Sequence, residues 1–150
     1  MDQNHKTYCG IRDSSGTGLV FIDRPGERLR KLPPRLDLYN HSPTGLEWGY
    51  GGSGPAQLAL ALLADALGDD REALHLYQSF KWAVIARLDQ KAPWTMTEDA
   101  VRRHAGALRR VREMEESYAQ KAHARRRANR RSISGDDERD RGGARPRLQR

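Results

Sequence analysis

Five glycines and two aromatic residues fall within ten residues of this sequence, between Gly45 and Gly54. Glycine adopts backbone conformations that other residues avoid, and it lets a bound molecule approach the main chain closely. Pro55 follows directly, and proline favours the first position of a helix. A glycine-rich loop that leads into a helix directs main-chain N–H groups and the positive end of the helix dipole at one place. The pattern therefore predicts a loop that binds a phosphate or a carboxylate.

The candidate ligand-binding residues lie in this loop or in the first turn of the helix after it, and they are Trp48, Gly49, Tyr50, Gly51, Gly52, Ser53, Gly54 and Gln57. In this hypothesis the amides of residues 51–54 hold the anion, and the ring of Trp48 or Tyr50 stacks on a base or another ring. The alternative is structural: the glycines let the chain turn tightly into a buried helix, and the two aromatic residues close the core. The sequence leaves both interpretations open.

Two known phosphate-binding motifs are not supported here. The Walker motif requires a lysine after its glycines, and the chain has no lysine between Lys31 and Lys81. Residues 49–54 match the letters of the dinucleotide fingerprint Gly-x-Gly-x-x-Gly, but no clear strand precedes them and no βαβ unit follows. We therefore expect no bound cofactor.

Catalytic and metal-binding patterns are also weak. Ser53 precedes a helix as the serine of a nucleophile elbow does, but that motif ends on glycine where this chain has Pro55. His41 and Glu47 complete a triad with this serine only if tertiary structure brings them together. The five histidines lack the spacing of metal ligands, and Cys9 is the only cysteine, so neither a metal site nor an internal disulfide is expected. The sequence favours a non-enzymatic binding protein, and the alternative is a hydrolase or nucleotide-using enzyme with Ser53 in its active site.

The net charge of +7 is concentrated at the C-terminal end. Residues 119–150 hold eleven basic and four acidic residues, whereas residues 1–118 are neutral. This division predicts a compact domain over residues 1–118 and an Arg-rich extension over residues 119–150. An arginine-rich segment can contact DNA or RNA phosphates non-specifically, or simply keep a neutral domain in solution. The candidate nucleic-acid contacts are Arg125, Arg126, Arg127, Arg130 and Arg131.

Residues 7–39 carry the signals of short strands separated by turns. Short apolar runs begin at Tyr8 and at Leu19, and the second run, over 19–22, is expected to be buried on both faces. Residues 29–32 predict a third strand that ends at the prolines 33 and 34, and residues 36–39 a weak edge strand. The result is a small antiparallel sheet.

Three helices are predicted after residue 54. The first begins at Pro55, has no polar face after Gln57 as far as Ala64, and should lie at the centre of the core, with Gly68 as its left-handed cap. Asp69 begins the second helix, whose apolar stripe is Ala73, Tyr77, Phe80, Val84 and Leu88, and Lys91-Ala92-Pro93 ends it. Thr97 caps the third helix, whose inward side is Val101, Leu108, Val111, Met114 and Tyr118. Helix formers continue to Arg131, and residues 132–150 are predicted to be disordered. The fold class is thus α+β: a small N-terminal sheet packed on about three helices, with a disordered basic tail.

No apolar run approaches the twenty residues or so that a membrane span needs. With no signal segment at the start and one cysteine, the chain is expected to be cytoplasmic and to have no membrane partner. Arginine outnumbers lysine 22 to 5, which indicates a GC-rich genome and so a bacterial or phage source.

The stretch from His41 to Ala64, HSPTGLEWGYGGSGPAQLALALLA, resembles the signature of an uncharacterised bacterial and phage family, domain of unknown function 6166. Residues 8–12, YCGIR, and 94–97, WTMT, are similar to the same family. The likeness covers roughly residues 7–115. It implies no activity; it implies that the glycine-rich loop belongs to the shared domain and that the Arg-rich extension lies outside it.

Overall fold

The computed structural model describes residues 5–136, with side chains as far as Ile133. Packing divides the chain into two units, one through Arg110 and one from Val111 onward. The elements in chain order are β1 (Thr7–Arg12), β2 (Gly18–Asp23), β3 (Arg30–Lys31), α1 (Ser53–Leu67), α2 (Asp70–Ala83), a 3₁₀ turn (Ile85–Arg87), β4 (Trp94–Thr97) and α3 (Glu98–Asp136). The predicted α+β class is confirmed.

The sheet is antiparallel, with the strand order β3-β2-β1-β4. The expected third strand is only two residues long, and residues 36–38 form a turn instead of an edge strand. Arg35 begins this turn with a φ of 56°, and its carbonyl accepts the N–H of Leu38. The fourth strand, β4, lies in a segment that was expected only to separate two helices, because its partner β1 is far away in the sequence.

One face of the sheet is buried, and the other is open. Val20 and Ile22 of β2 are almost fully buried, whereas their neighbours Leu19 and Phe21 are partly exposed. The expectation that this run is buried on both faces was therefore wrong. Successive side chains of a strand point to opposite faces, and helices cover only one face of this sheet.

Helix α1 is the central element of the core, as predicted. All its residues from Gly54 to Ala64 are buried, and Gly68 ends it in the left-handed conformation with a φ of 63°. The side chain of Asp69 accepts the N–H of Glu72 and so caps α2, and Thr97 caps α3 through the N–H of Ala100. These caps were predicted correctly because they depend only on residues three or four positions apart.

The α2 stripe and the inward side of α3 differ in part from the expectation. Helix α2 ends at Ala83, so the predicted stripe extends past the helix, and Leu88 comes after the 3₁₀ turn. In α3, Val101 is buried and Leu108 is partly buried. The predicted inward residues beyond them are exposed: Val111, Met114 and Tyr118. Helical spacing shows which side of a helix is apolar, but not whether another element covers that side.

Helix α3 continues through residues 132–136, which were predicted to be disordered. The remainder of the predicted disordered tail, residues 137–150, lies outside the described residues. No helix in the described part of the chain combines the length and hydropathy that a membrane span requires.

Candidate functional site

Gln57, in the first turns of α1, holds the start of the loop in place. Its Oε1 accepts the main-chain N–H groups of His41, at 2.8 Å, and Ser42, at 3.2 Å. Its Nε2 donates to the carbonyls of Pro34, at 2.6 Å, and Tyr39, at 3.0 Å. The side chain is fully buried, and a glutamine amide has two donor hydrogens and two principal acceptor positions. Gln57, a predicted ligand residue, therefore has all of these positions occupied within the protein.

Trp48 is a core residue. Its side chain is fully buried, its indole N–H donates to the carbonyl of Asp89 at 3.1 Å, and its ring meets Trp94 edge to face at 5.8 Å. The guanidinium of Arg12 lies 4.4 Å from the ring centroid. Because the ring is enclosed, Trp48 is not available for the stacking on a ligand that the sequence suggested for it.

Two glycines of the loop are required by its packing. Gly49 has a φ of 87° and donates its N–H to the carbonyl of Ile85 at 3.0 Å. A Cβ at Gly49 would lie 2.5 Å from the Cα of Gln90. Gly54 is buried, and a Cβ there would lie 2.7 Å from the Cβ of Glu47. The chain passes too close to its neighbours for a side chain at either position.

The surface part of the loop consists of Tyr50, Gly51 and Ser53, which are exposed, and Gly52, which is partly exposed. Gly52 is the N-cap residue of α1 and has no side chain to accept the first N–H groups of the helix. These N–H groups have no partner within a helix, and they carry its positive partial charge. The predicted anion-receptive end of the helix therefore lies at the surface.

Trp82 of α2 is the aromatic residue next to this end of the helix, and sequence reasoning missed it. A Cβ on Gly51 would overlap the outer edge of the Trp82 ring, so the ring packs directly on the glycine. The Tyr50 ring packs on Gly52 in the same way. Both rings keep large exposed surfaces, 57% for Trp82 and 41% for Tyr50. Two accessible rings therefore flank the glycines.

Lys81, also missed from the sequence, is more than nine-tenths buried, with 8% of its surface exposed. Its ammonium lies 4.6 Å from the centroid of the Trp82 ring. Among the described residues it has neither a hydrogen-bond acceptor nor a carboxylate partner. One signal was present in the sequence, since Lys81 lies four residues after Tyr77, next to the apolar stripe of α2. We call Tyr50, Gly51, Gly52, Ser53, Lys81 and Trp82 together the loop site.

The charge of Lys81 affects one histidine of the loop region, His41. Its Nε2 is 2.7 Å from the hydroxyl of Tyr77, and its ring stacks on Tyr39 with centroids 4.2 Å apart. Burial, followed by the positive charge of Lys81, lowers the pKa of His41 below its ordinary value. The charge of Lys81 therefore acts on the His41 ring.

The catalytic alternative needs Ser53 within reach of a histidine. The Ser53 hydroxyl is exposed but has no hydrogen bond to any histidine in the described part of the chain, and His41 is engaged by Tyr77. Glu47 pairs with Arg12 at 2.8 Å. Within residues 5–136, no three His, Cys, Asp or Glu side chains are grouped so that they could hold a metal ion.

The five predicted nucleic-acid contacts all lie on α3, in the unit that begins at Val111. Their side chains are exposed, and they are Arg125, Arg126, Arg127, Arg130 and Arg131. The structure thus places them on one helix, within two turns of each other.

The antiparallel sheet, the enclosed central helix and the glycine-rich loop define a small α+β domain. A model of the family described as "Family of unknown function (DUF6166)" matches residues 8–107, and the chain belongs to this family. The match includes the whole glycine-rich loop and leaves residues 108–150 outside, as the resemblance implied for the Arg-rich extension. Comparison with curated proteins and with solved structures gave no match.

Proposed function

We propose that this protein is a small, non-enzymatic binding protein that receives an anionic ligand at the loop site. The observation that carries the proposal is Lys81, a lysine with only 8% of its surface exposed, whose ammonium has no carboxylate partner among the described residues. A positive charge at the end of a largely buried side chain is stabilised by an anion close to it. A phosphate or carboxylate group of a ligand would supply the missing partner.

The start of α1 supports the same ligand chemistry. Trp82 links the two features, because the edge of its ring contacts Gly51 and its face lies against Lys81. An anion beside this ring would have the helix N-terminus on one side and the ammonium on the other, and both favour negative charge. The exposed rings of Trp82 and Tyr50 favour a ligand with a planar group, or a protein partner that presents a carboxylate, over a bare inorganic ion.

A titration followed by NMR of the ¹⁵N-labelled full chain tests the proposal, with inorganic phosphate and adenosine monophosphate as probes. We expect the amide signals of residues 51–54 to shift, and Lys81→Met to abolish these shifts. Lys91→Met is the matched control, since Lys91 is an exposed lysine that follows Gln90, the residue against which Gly49 packs. Shifts confined to residues 119–133, or equal shifts in both variants, would refute the loop site.

The enzyme alternative, with Ser53 as nucleophile, predicts that Ser53→Ala abolishes turnover and leaves the binding shifts intact. We place the binding function in the cytoplasm of a bacterium or of a cell infected by a phage. The single cysteine and the excess of arginine over lysine support this setting.

A further inference from the structure

Residues 119–133 of α3, which we call the basic segment, form an uninterrupted helix whose side chains are all exposed. The segment holds six basic residues and no aspartate or glutamate: Lys121, Arg125, Arg126, Arg127, Arg130 and Arg131. The preceding turns, residues 111–118, hold three glutamates and one arginine. The charge of the helix therefore changes sign close to Tyr118.

The six basic residues form three pairs with a spacing of four, Lys121/Arg125, Arg126/Arg130 and Arg127/Arg131. At 3.6 residues per turn, the three pairs point in directions of roughly 20°, 160° and 260° around the helix axis. The basic segment is therefore positive on every side. Like charges four residues apart oppose helix formation, so a polyanion that neutralises them would also stabilise the helix.

This distribution distinguishes among anionic partners. A flat anionic surface, such as a lipid headgroup layer, contacts one side of a helix, and the basic segment has only Ile133 as a large apolar side chain for insertion. A groove lined by phosphates on both walls flanks a helix on two opposite sides, and long arginine side chains can reach these walls from most of the helix circumference. The major groove of B-form DNA, about 12 Å wide, admits an α-helix, whereas the major groove of A-form RNA is too narrow.

We propose that the basic segment binds duplex DNA by lying in the major groove, where the three pairs contact phosphates of both strands. From Lys121 to Arg131 the helix rises by about 15 Å, less than half of one turn of DNA. The glutamates of residues 111–118 would be repelled by phosphates, so they limit the contact to the basic segment. This interaction is independent of the loop site. It involves phosphates only and is therefore not specific for a base sequence.

Fluorescence anisotropy with the full chain tests this inference, using a DNA duplex, an RNA duplex of the same sequence and vesicles containing anionic phospholipid. Three double variants each remove one pair: K121Q/R125Q, R126Q/R130Q and R127Q/R131Q. With six phosphate contacts, a plot of the logarithm of the association constant against the logarithm of the salt concentration should have a slope of about −5. Each double variant removes two contacts, so its slope should be smaller in magnitude by nearly 2. The control R103Q/R110Q changes two exposed arginines of α3 outside the basic segment and should bind as the parent does.

The groove geometry predicts losses of similar size for all three double variants, at least tenfold each at low salt. A loss confined to one pair would indicate a flat binding surface and would overturn the proposal. Equal or tighter binding to the RNA duplex or to the vesicles would overturn it as well.

Discussion

The ammonium of Lys81 lies against the face of the Trp82 indole ring, 4.6 Å from its centroid, and the edge of the same ring packs on Gly51. Two adjacent residues of α2 thereby complete a surface that begins thirty residues earlier in the chain. Neither residue alone would mark a site, since an exposed tryptophan and a lysine in a helix are common. Together they place a positive charge and an exposed indole ring beside the uncapped start of α1.

Replacing Lys81 should stabilise the ligand-free protein. Lys81→Met keeps most of the apolar volume of a largely buried side chain and removes an ammonium that has no carboxylate partner among the described residues, so we expect the free energy of unfolding to rise by up to about 1 kcal/mol. Chemical denaturation at low anion concentration measures this change. Lys91→Met should leave the stability unaltered, and a destabilised Lys81→Met would show that the ammonium serves the fold.

Anion affinity at the loop site should increase as the pH falls below neutrality. The pKa of His41 is below its ordinary value in the free protein, through burial and the charge of Lys81. A bound anion near Lys81 would raise this pKa, and by linkage the protonated protein then binds the anion more tightly. Sulfate is the appropriate probe because its charge is constant over this range. His41→Gln should give a flatter profile than His75→Gln, and a profile that His41→Gln leaves unchanged would contradict the link.

Gly49→Ala should destabilise the protein far more than Gly16→Ala. Both glycines have similar positive φ values, 87° and 84°, so the backbone strain of alanine is matched. Only Gly49 is close to another chain segment, because its added Cβ would lie 2.5 Å from the Cα of Gln90. We expect a loss of about 1 kcal/mol for Gly16→Ala and at least about 3 kcal/mol for Gly49→Ala, measured by urea unfolding. Equal losses would mean that the Gln90 backbone moves aside without cost.

Asp65 should make the fold sensitive to acid. Burial alone would raise the pKa of Asp65, but hydrogen bonds from Lys6, at 2.7 Å, and Tyr8, at 2.6 Å, outweigh it and lower the pKa. A lowered carboxyl pKa contributes stability above the unfolded value of about 3.9, and this stability is lost as the pH falls through the folded pKa.

Asp65→Asn should therefore lower stability at neutral pH by about 3 kcal/mol, because it leaves the buried Lys6 with Glu98 as its one carboxylate in the described structure. It should also flatten the dependence of stability on pH below 4 or so. Asp37→Asn is the control, since Asp37 is an exposed carboxylate paired with Arg35. An acid transition that Asp65→Asn does not alter would assign the acid sensitivity to other groups.

The sequence by itself determined the features of this protein that depend on neighbours within one helical turn. The caps at Asp69, Thr97 and Gly68 and the enclosed helix α1 all follow from residue types at spacings of a few positions. The family resemblance was also readable, because its central motif is contiguous. None of these features depends on a residue far away in the sequence.

Only the tertiary structure decided which surfaces are covered. The sequence predicted Trp48 and Gln57 as ligand residues, but in the structure Trp48 is buried and the side chain of Gln57 is fully hydrogen-bonded within the protein. The structure instead places Lys81 and Trp82 next to the loop. It also formed β4 opposite β1 across more than eighty residues of chain. The physical reason is that burial and strand pairing depend on which distant segment packs against a residue, and local spacing carries no information about that segment.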